Sequence, residues 1–257
     1  MDFANGTITI TFGDRAENNP GMQMIGQLAD CGFTIQDLEE AKTRFEEAGC
    51  ICELVSLNQN IGIQTEPASV LVIRNAVNKF LENANANSTD LYVQLRDLNW
   101  DTKALMYGRV VNKHARSNLC FDENSQEPNY AQGMGRIISY DQVNLLKIVR
   151  DSLPIYLGPK GLDLKGEGNY YKDVLAQGIG FHGDKERFKV VAIRLGTSMP
   201  IYYNWFYKSE PKGQRMSIQL NHGDMYIMSE KAVGNDWKLK NKPTLRHAAG
   251  AAKYTNL

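Results

Sequence analysis

The alternation of apolar and polar positions divides the chain into two regions of different texture. Residues 7–13, Thr-Ile-Thr-Ile-Thr-Phe-Gly, alternate strictly and are rich in β-branched side chains, which predicts a strand. Thr34 is placed to cap a helix running to about Gly49, because Ile35, Leu38, Ala41, Phe45 and Ala48 recur at helical spacing. Residues 52–57 and 69–73 read as further strands, and 75–81 as a short helix. The stretch 82–90, rich in Asn and Ala, interrupts the pattern and is the best candidate boundary.

Past that point the periods shorten. Residues 103–111 and 137–139 read as strands, and 143–152 as a helix ending before Pro154. Short strand-like runs then follow at 169–175, 179–184, 189–195, 200–207, 214–220 and 225–229, separated by Gly, Asn and Pro. So many short strands in succession predict a closed barrel or sandwich. The expected organisation is a strand-helix-strand annexe over 1–95 and a second domain over 96–257.

Composition narrows the functional classes. With 42% hydrophobic and 23% charged residues, the 257-residue chain is ordinary globular material, long enough to bury about three-quarters of its unfolded surface. Lys+Arg and Asp+Glu both number 29, so bulk charge is not what would hold this chain to duplex DNA, although a local basic groove stays open. No apolar run approaches the roughly 18 residues of a membrane span, so no membrane partner is expected. The opening Met1-Asp2-Phe3-Ala4-Asn5-Gly6 lacks the charged-then-apolar form of a secretory signal, and an intracellular setting, cytoplasmic or nuclear, is expected. Cys31, Cys50, Cys52 and Cys120 fall in no zinc-ligand spacing and read as buried small apolar side chains.

The candidate chemistry centres on Gly180-Phe181-His182-Gly183-Asp184. Residues two apart in a strand point the same way, so His182 and Asp184 can face one metal ion. One imidazole and one carboxylate, joined by a later His, would make the facial triad of non-haem iron(II) oxygenases. A hydrogen-bonded pair in a turn is the plainer reading of His-x-Asp alone. The surroundings add to the motif: Gly168-Asn169-Tyr170-Tyr171 before it, then 189–196 ending in Leu195-Gly196, then 199–205, then Leu220-Asn221-His222-Gly223-Asp224 and the strand 225–228.

This order of motifs resembles the AlkB-like branch of the iron(II)/2-oxoglutarate-dependent dioxygenases, over about residues 100–257. The resemblance implies an α+β fold whose catalytic domain is a double-stranded β-helix, or jelly roll. It implies Fe(II) and 2-oxoglutarate, with His182 and Asp184 as metal ligands and Asn169 and Tyr171 as the polar pair holding the cosubstrate. His222 matches a turn of the family and is expected to miss the metal. Two registers compete at the C-terminal end. In one, His247 is the third ligand; in the other, Thr244-Leu245-Arg246 matches the family's terminal Thr-x-Arg and Arg246 becomes a pocket residue. A working triad needs the first.

The distal carboxylate of 2-oxoglutarate needs a cation, and Arg194, Arg246 and Lys253 are the candidates. Arg194 comes first: Val190, Ala192 and Arg194 share one strand face, and an arginine buried in so apolar a strand needs a carboxylate partner. A solvent-reaching strand-edge arginine is the competing reading. For substrate, Lys103, Arg109, Lys113, His114 and Arg116 form a basic segment around Tyr107. In the family this region forms a lid over a nucleotide, and cations with an aromatic plate suit single-stranded nucleic acid or a flipped, modified nucleobase. Trp205, with Tyr203, is a candidate pocket residue, barrel core being the favoured alternative. Lys238, Lys240 and Lys242 read as a solvated loop. The resemblance thus implies oxidative demethylation or hydroxylation of a nucleobase. Hydroxylation of a protein side chain or small metabolite, or a barrel that binds without catalysis, stand as alternatives.

Overall fold

The computed structural model describes residues 3–59 and 61–257; Met1 and Asp2, part of the opening segment read above, and Asn60 lie outside the described residues. In chain order the strands are β1 (Thr7–Gly13), β2 (Arg15–Glu17), β3 (Met24–Gly26), β4 (Ile51–Ser56), β5 (Ser69–Arg74), β6 (Lys103–Met106), β7 (Arg109–Asn112) and β8 (Ser117–Asp122). There follow β9 (Ile137–Ser139), β10 (Lys165–Tyr171), β11 (Gly178–His182), β12 (Val190–Gly196), β13 (Ile201–Tyr207), β14 (Glu210–Ile218), β15 (Met225–Met228) and β16 (Thr244–Gly250). The helices are α1 (Ile35–Glu47), α2 (Ala76–Leu81), α3 (Ser88–Arg96), α4 (Asn144–Leu157), α5 (Glu230–Val233) and α6 (Ala252–Thr255).

The fold is α+β and is dominated by an eight-stranded sheet in the order β4-β5-β15-β12-β1-β10-β8-β9. Its pairings are antiparallel except for the parallel β8–β9 edge. A four-stranded antiparallel sheet, β11-β16-β13-β14, packs against one face of it. Side-chain alternation explains the layering. On β1 and β12, Ile8, Ile10, Phe12, Val191 and Ile193 point to one side, where Leu38 and Phe45 of α1, Leu91 of α3 and Leu146 of α4 cover them. From the opposite face, Val190, Ala192 and Tyr226 pack with Tyr203, Trp205 and Leu245 of the smaller sheet. Toward β10 that same gap stops being apolar: Thr9, Thr11, Asn169, Tyr171 and Arg194 line a cavity instead.

Four expectations change. The 1–95 and 96–257 regions are not separate sheets, because β1 lies between β12 and β10 and β5 pairs with β15. The N-terminal strands supply apolar faces that the later strands need, which is why no break falls in that stretch. Within the supposed boundary, α3 begins at Ser88, with Asn87 accepting from the Thr89 and Asp90 amides in a capping box. Residues 103–111 form a β6–β7 hairpin rather than one strand, turning at Tyr107 and Gly108 with φ of 52° and 76°. Pro154 sits inside α4, since Leu146, Val149, Leu153 and Leu157 keep one buried stripe going through it. Among the described residues, no helix is long and apolar enough to cross a membrane.

Candidate functional site

The site begins with a defect in strand pairing. Between β11 and β16, Ile179 pairs with Ala249 and His182 with His247, so β11 carries one extra residue between the two pairs. Such a bulge re-aims the following side chain. It turns His182 onto the face of Ile179 and His247, which the plain alternation of β11 would not do. Gly183 then brings the backbone against the turn after α5. A Cβ on Gly183 would lie 2.0 Å from the Gly234 carbonyl oxygen, and Asp184 N–H donates to Val233 O at 3.0 Å.

Three ligand atoms converge as a result. Asp184 Oδ1 lies 3.5 Å from His182 Nε2 and 3.5 Å from His247 Nε2. Ligand atoms of all three residues lie within 4.8 Å of one another. His182 Nδ1 is 2.7 Å from the Gly180 carbonyl oxygen, which can only accept, so the proton sits on Nδ1 and Nε2 keeps its lone pair. Burial, with His247 beside it, pushes His182 down to about 3, so the ring is neutral at ordinary pH. Burial alone would raise the Asp184 carboxyl; Arg187 and the two histidines outweigh it and hold Asp184 well below the usual carboxylate range. His247 Nδ1 is buried without a hydrogen-bond partner among the described residues. Two imidazoles and one ionised carboxylate, all on one side, could hold a divalent metal and leave its other positions open.

The cavity beside the triad has a volume of about 1160 Å³. Arg194 lies in its wall, 1% exposed. Its Nη1 donates to Thr9 Oγ1, its Nε has no partner, and no carboxylate pairs with it among the described residues. Burial therefore lowers the Arg194 guanidinium from its ordinary value, with Tyr226, Tyr171 and Asp224 acting weakly the other way. Asn169 and Tyr171 stand on the same wall two residues apart, both buried. Asn169 Oδ1 accepts from Arg116 Nε at 2.5 Å and from Asn118 Nδ2 at 2.7 Å.

Other expected residues fall elsewhere. His222 accepts from Gly196 N–H at 2.9 Å through Nδ1 and meets Thr89 Oγ1 at 3.2 Å through Nε2, away from the triad. Arg246 points to the opposite face of β16 from His247, its guanidinium 4.1 Å from the Phe206 ring centre, and does not line the cavity. Lys253 is exposed on α6 beside the Tyr254 ring. Both are corrected as cosubstrate cations for that reason. Trp205 is core, the favoured of its two readings, and not a pocket residue; its Nε1 donates to Leu57 O at 2.6 Å. The basic segment divides. Lys113, His114 and Arg116 line the cavity, whereas Tyr107, 94% exposed, and Arg109 lie on the β6–β7 hairpin outside its lining.

Sequence reasoning missed a second set. Arg187 is 2% exposed and bonds Glu167 and Glu186, with its Nε 3.8 Å from Asp184 Oδ2. Glu167 shares the face of Asn169 and Tyr171 on β10, a period-2 signal present in Glu167-Gly168-Asn169-Tyr170-Tyr171. Arg187 lies in a turn, where no period points to burial.

No family model matches the chain. The chain is 50% identical over 252 residues to "Uncharacterized protein R156" of Acanthamoeba polyphaga mimivirus, covering 96% of this chain and 97% of that protein.

Proposed function

The chain belongs to the family of this mimivirus protein, and we propose that it is an iron(II)- and 2-oxoglutarate-dependent dioxygenase of AlkB-like type. The observation that carries the reading is the meeting of His182, Asp184 and His247 beside a cavity whose wall holds an arginine that, among the described residues, no carboxylate pairs with. The two facing sheets are then a double-stranded β-helix, with N-terminal strands added to the larger one. The residues fit the metal: His182 Nε2 is free of its proton, Asp184 is ionised, and both imidazole Nε2 atoms face the same carboxylate oxygen.

The chemistry that iron(II) would supply there is the coupling of dioxygen to decarboxylation of 2-oxoglutarate, giving succinate, carbon dioxide and a hydroxylated C–H bond. The chain's own residues bind and orient. Arg194 is suited to the distal carboxylate of 2-oxoglutarate, because a guanidinium takes a carboxylate through two parallel hydrogen bonds and its Nε edge has no other use. The Tyr171 side chain stands on the same wall, and Asn169 offers its amide beside it. A nucleobase is the favoured substrate. Tyr107 at the hairpin tip offers an exposed aromatic face, and Arg109 on the same hairpin a cation, which suits an unstacked base. Hydroxylation at an N-methyl carbon ends in loss of formaldehyde, which is demethylation.

Calorimetric titration with Mn²⁺ followed by N-oxalylglycine tests the reading. The wild type should bind the metal and then the analogue, and Asp184→Ala should bind neither. Analogue binding that needs no metal would count against it.

A further inference from the structure

Two more cations face the same cavity, and neither the triad nor the cosubstrate uses them. Lys113 follows β7 and Arg116 precedes β8. Lys113 Nζ donates to Asn18 Oδ1 at 2.7 Å, Asn118 Oδ1 at 3.0 Å and Asn18 O at 3.3 Å, all neutral oxygens. Arg116 donates through Nε to Asn169 Oδ1 at 2.5 Å, and no carboxylate pairs with it among the described residues. The two are joined by amides. Asn118 accepts from Lys113 and donates to Asn169 at 2.7 Å, and the same Asn169 oxygen receives Arg116.

Asp101 and Glu167, the carboxylates whose charge reaches Lys113, are already committed. Asp101 accepts from Asn18 Nδ2 at 2.9 Å, from Tyr130 OH at 2.7 Å and from the Arg136 amide at 2.7 Å. Glu167 is bonded to Arg187. Burial pushes the Lys113 ammonium down to about 8, as expected for a charge whose partners are amides. A partly buried cation without a counter-ion is unfavourable, and two on one wall more so. The polar asparagine frame holds them there all the same.

We propose that Arg116 and Lys113 form a second anion subsite of the cavity, which takes the phosphate monoester of a small, nucleotide-like substrate. The proposal rests on the dioxygenase reading in one respect: 2-oxoglutarate spends its carboxylates on the metal and Arg194, so the further anion belongs to the substrate. Charge selects the monoester. It carries about −1.5 to −2 near neutral pH and matches two cations, whereas a carboxylate or a phosphodiester link carries one charge. Arg116 supplies the planar fork and Lys113 the point charge, with its long bond to Asn18 O the one to be exchanged. Space agrees: at about 1160 Å³ the cavity exceeds the roughly 300–1,000 Å³ usual for one small ligand.

The test is calorimetry on the full chain loaded with Mn²⁺ and N-oxalylglycine, titrated with inorganic phosphate, a nucleoside 5′-monophosphate, the parent nucleoside and succinate. The monophosphate should bind at least about ten-fold more tightly than the nucleoside, a difference of about 1.4 kcal/mol. Arg116→Gln and Lys113→Met should each erase most of that difference, and Arg116→Lys should restore part of it. Thermal melts of each variant establish that it is folded. Equal binding of monophosphate and nucleoside overturns the subsite. So does loss of N-oxalylglycine, rather than phosphate, from the Arg116 variant, and so does succinate binding as strongly as phosphate. A wild type that binds phosphate but no metal keeps the subsite and removes the dioxygenase reading. One that binds metal and analogue but no monophosphate does the reverse.

Discussion

His182 and His247 are direct cross-strand partners, with ring centres 4.5 Å apart, on two strands that have β12 to β15 between them in the chain. The bulge before His182 makes this pairing face inward, and Asp184 follows from it because it lies two residues on. The triad is thus a property of strand register. Anything that slips β11 against β16 by one residue removes it.

Gly183 is the joint most exposed to such a slip. Its missing Cβ admits the Gly234 carbonyl at 2.0 Å from where that atom would be, and backbone cannot yield as a flexible side chain can. Gly183→Ala should therefore displace Asp184 and weaken Mn²⁺ binding by about ten-fold or more, while the two apolar cores remain folded by circular dichroism. An alanine variant with wild-type metal affinity would show that the loop has slack.

Arg194→Met tests the anion anchor. In the proposed reading a ligand carboxylate would be the guanidinium's counter-ion, and removing one partner of a buried pair costs about 3–5 kcal/mol, roughly two decades or more in affinity. N-oxalylglycine affinity should fall accordingly with Mn²⁺ affinity little changed. Wild-type analogue affinity in this variant would move the anchoring role to another cation of the wall.

Glu17 should leave a signature in the pH dependence of stability. Burial, aided by Glu186 and Glu167 against the Gly21 amide, raises its carboxyl from 4.5 to about 7. A raised carboxyl means the folded state holds more protons between those values. Its contribution is complete below about pH 4.5 and is lost as the pH rises through about 7. The melting temperature of the wild type relative to Glu17→Gln should fall across that window. A difference that stays flat, or rises, contradicts the assignment.

His222 separates a structural histidine from a liganding one. It joins the Gly196 amide to Thr89, and its neighbour Asp224 accepts from Arg74 Nη1 at 2.7 Å and the Asn75 amide at 2.9 Å. His222→Ala should lower the melting temperature yet keep Mn²⁺ affinity. Loss of metal at unchanged stability would contradict this division.

The sequence made some of these features legible and hid others for physical reasons. Alternation in β1 is strict, and β12 is apolar except for Arg194, so the core strands and the side of β12 that carries Arg194 could be read directly. The Thr34 cap and the stripe Leu38, Ala41, Phe45 gave α1 in the same way. Sheet order carries no such local signal. That β1 would lie between β12 and β10 depends on long-range pairing, and the polar 82–90 segment looked like a linker because Asn87 caps a helix there. Arg246 and His247 were ambiguous because adjacent strand residues face opposite ways. Only the pairing of β16 with β11 decides which one points inward. Arg187 had no legible pattern, since its burial comes from Glu167 and Glu186 meeting it in a turn.

The most direct measurement is succinate formation from 2-oxoglutarate by the full chain supplied with iron(II) in air, set beside the same chain without iron, without oxygen, and with His182→Ala. Succinate should form in the complete mixture alone, with the variant and both omissions at background. Wild-type protein that binds metal yet releases no more succinate than the His182→Ala variant would contradict the dioxygenase reading.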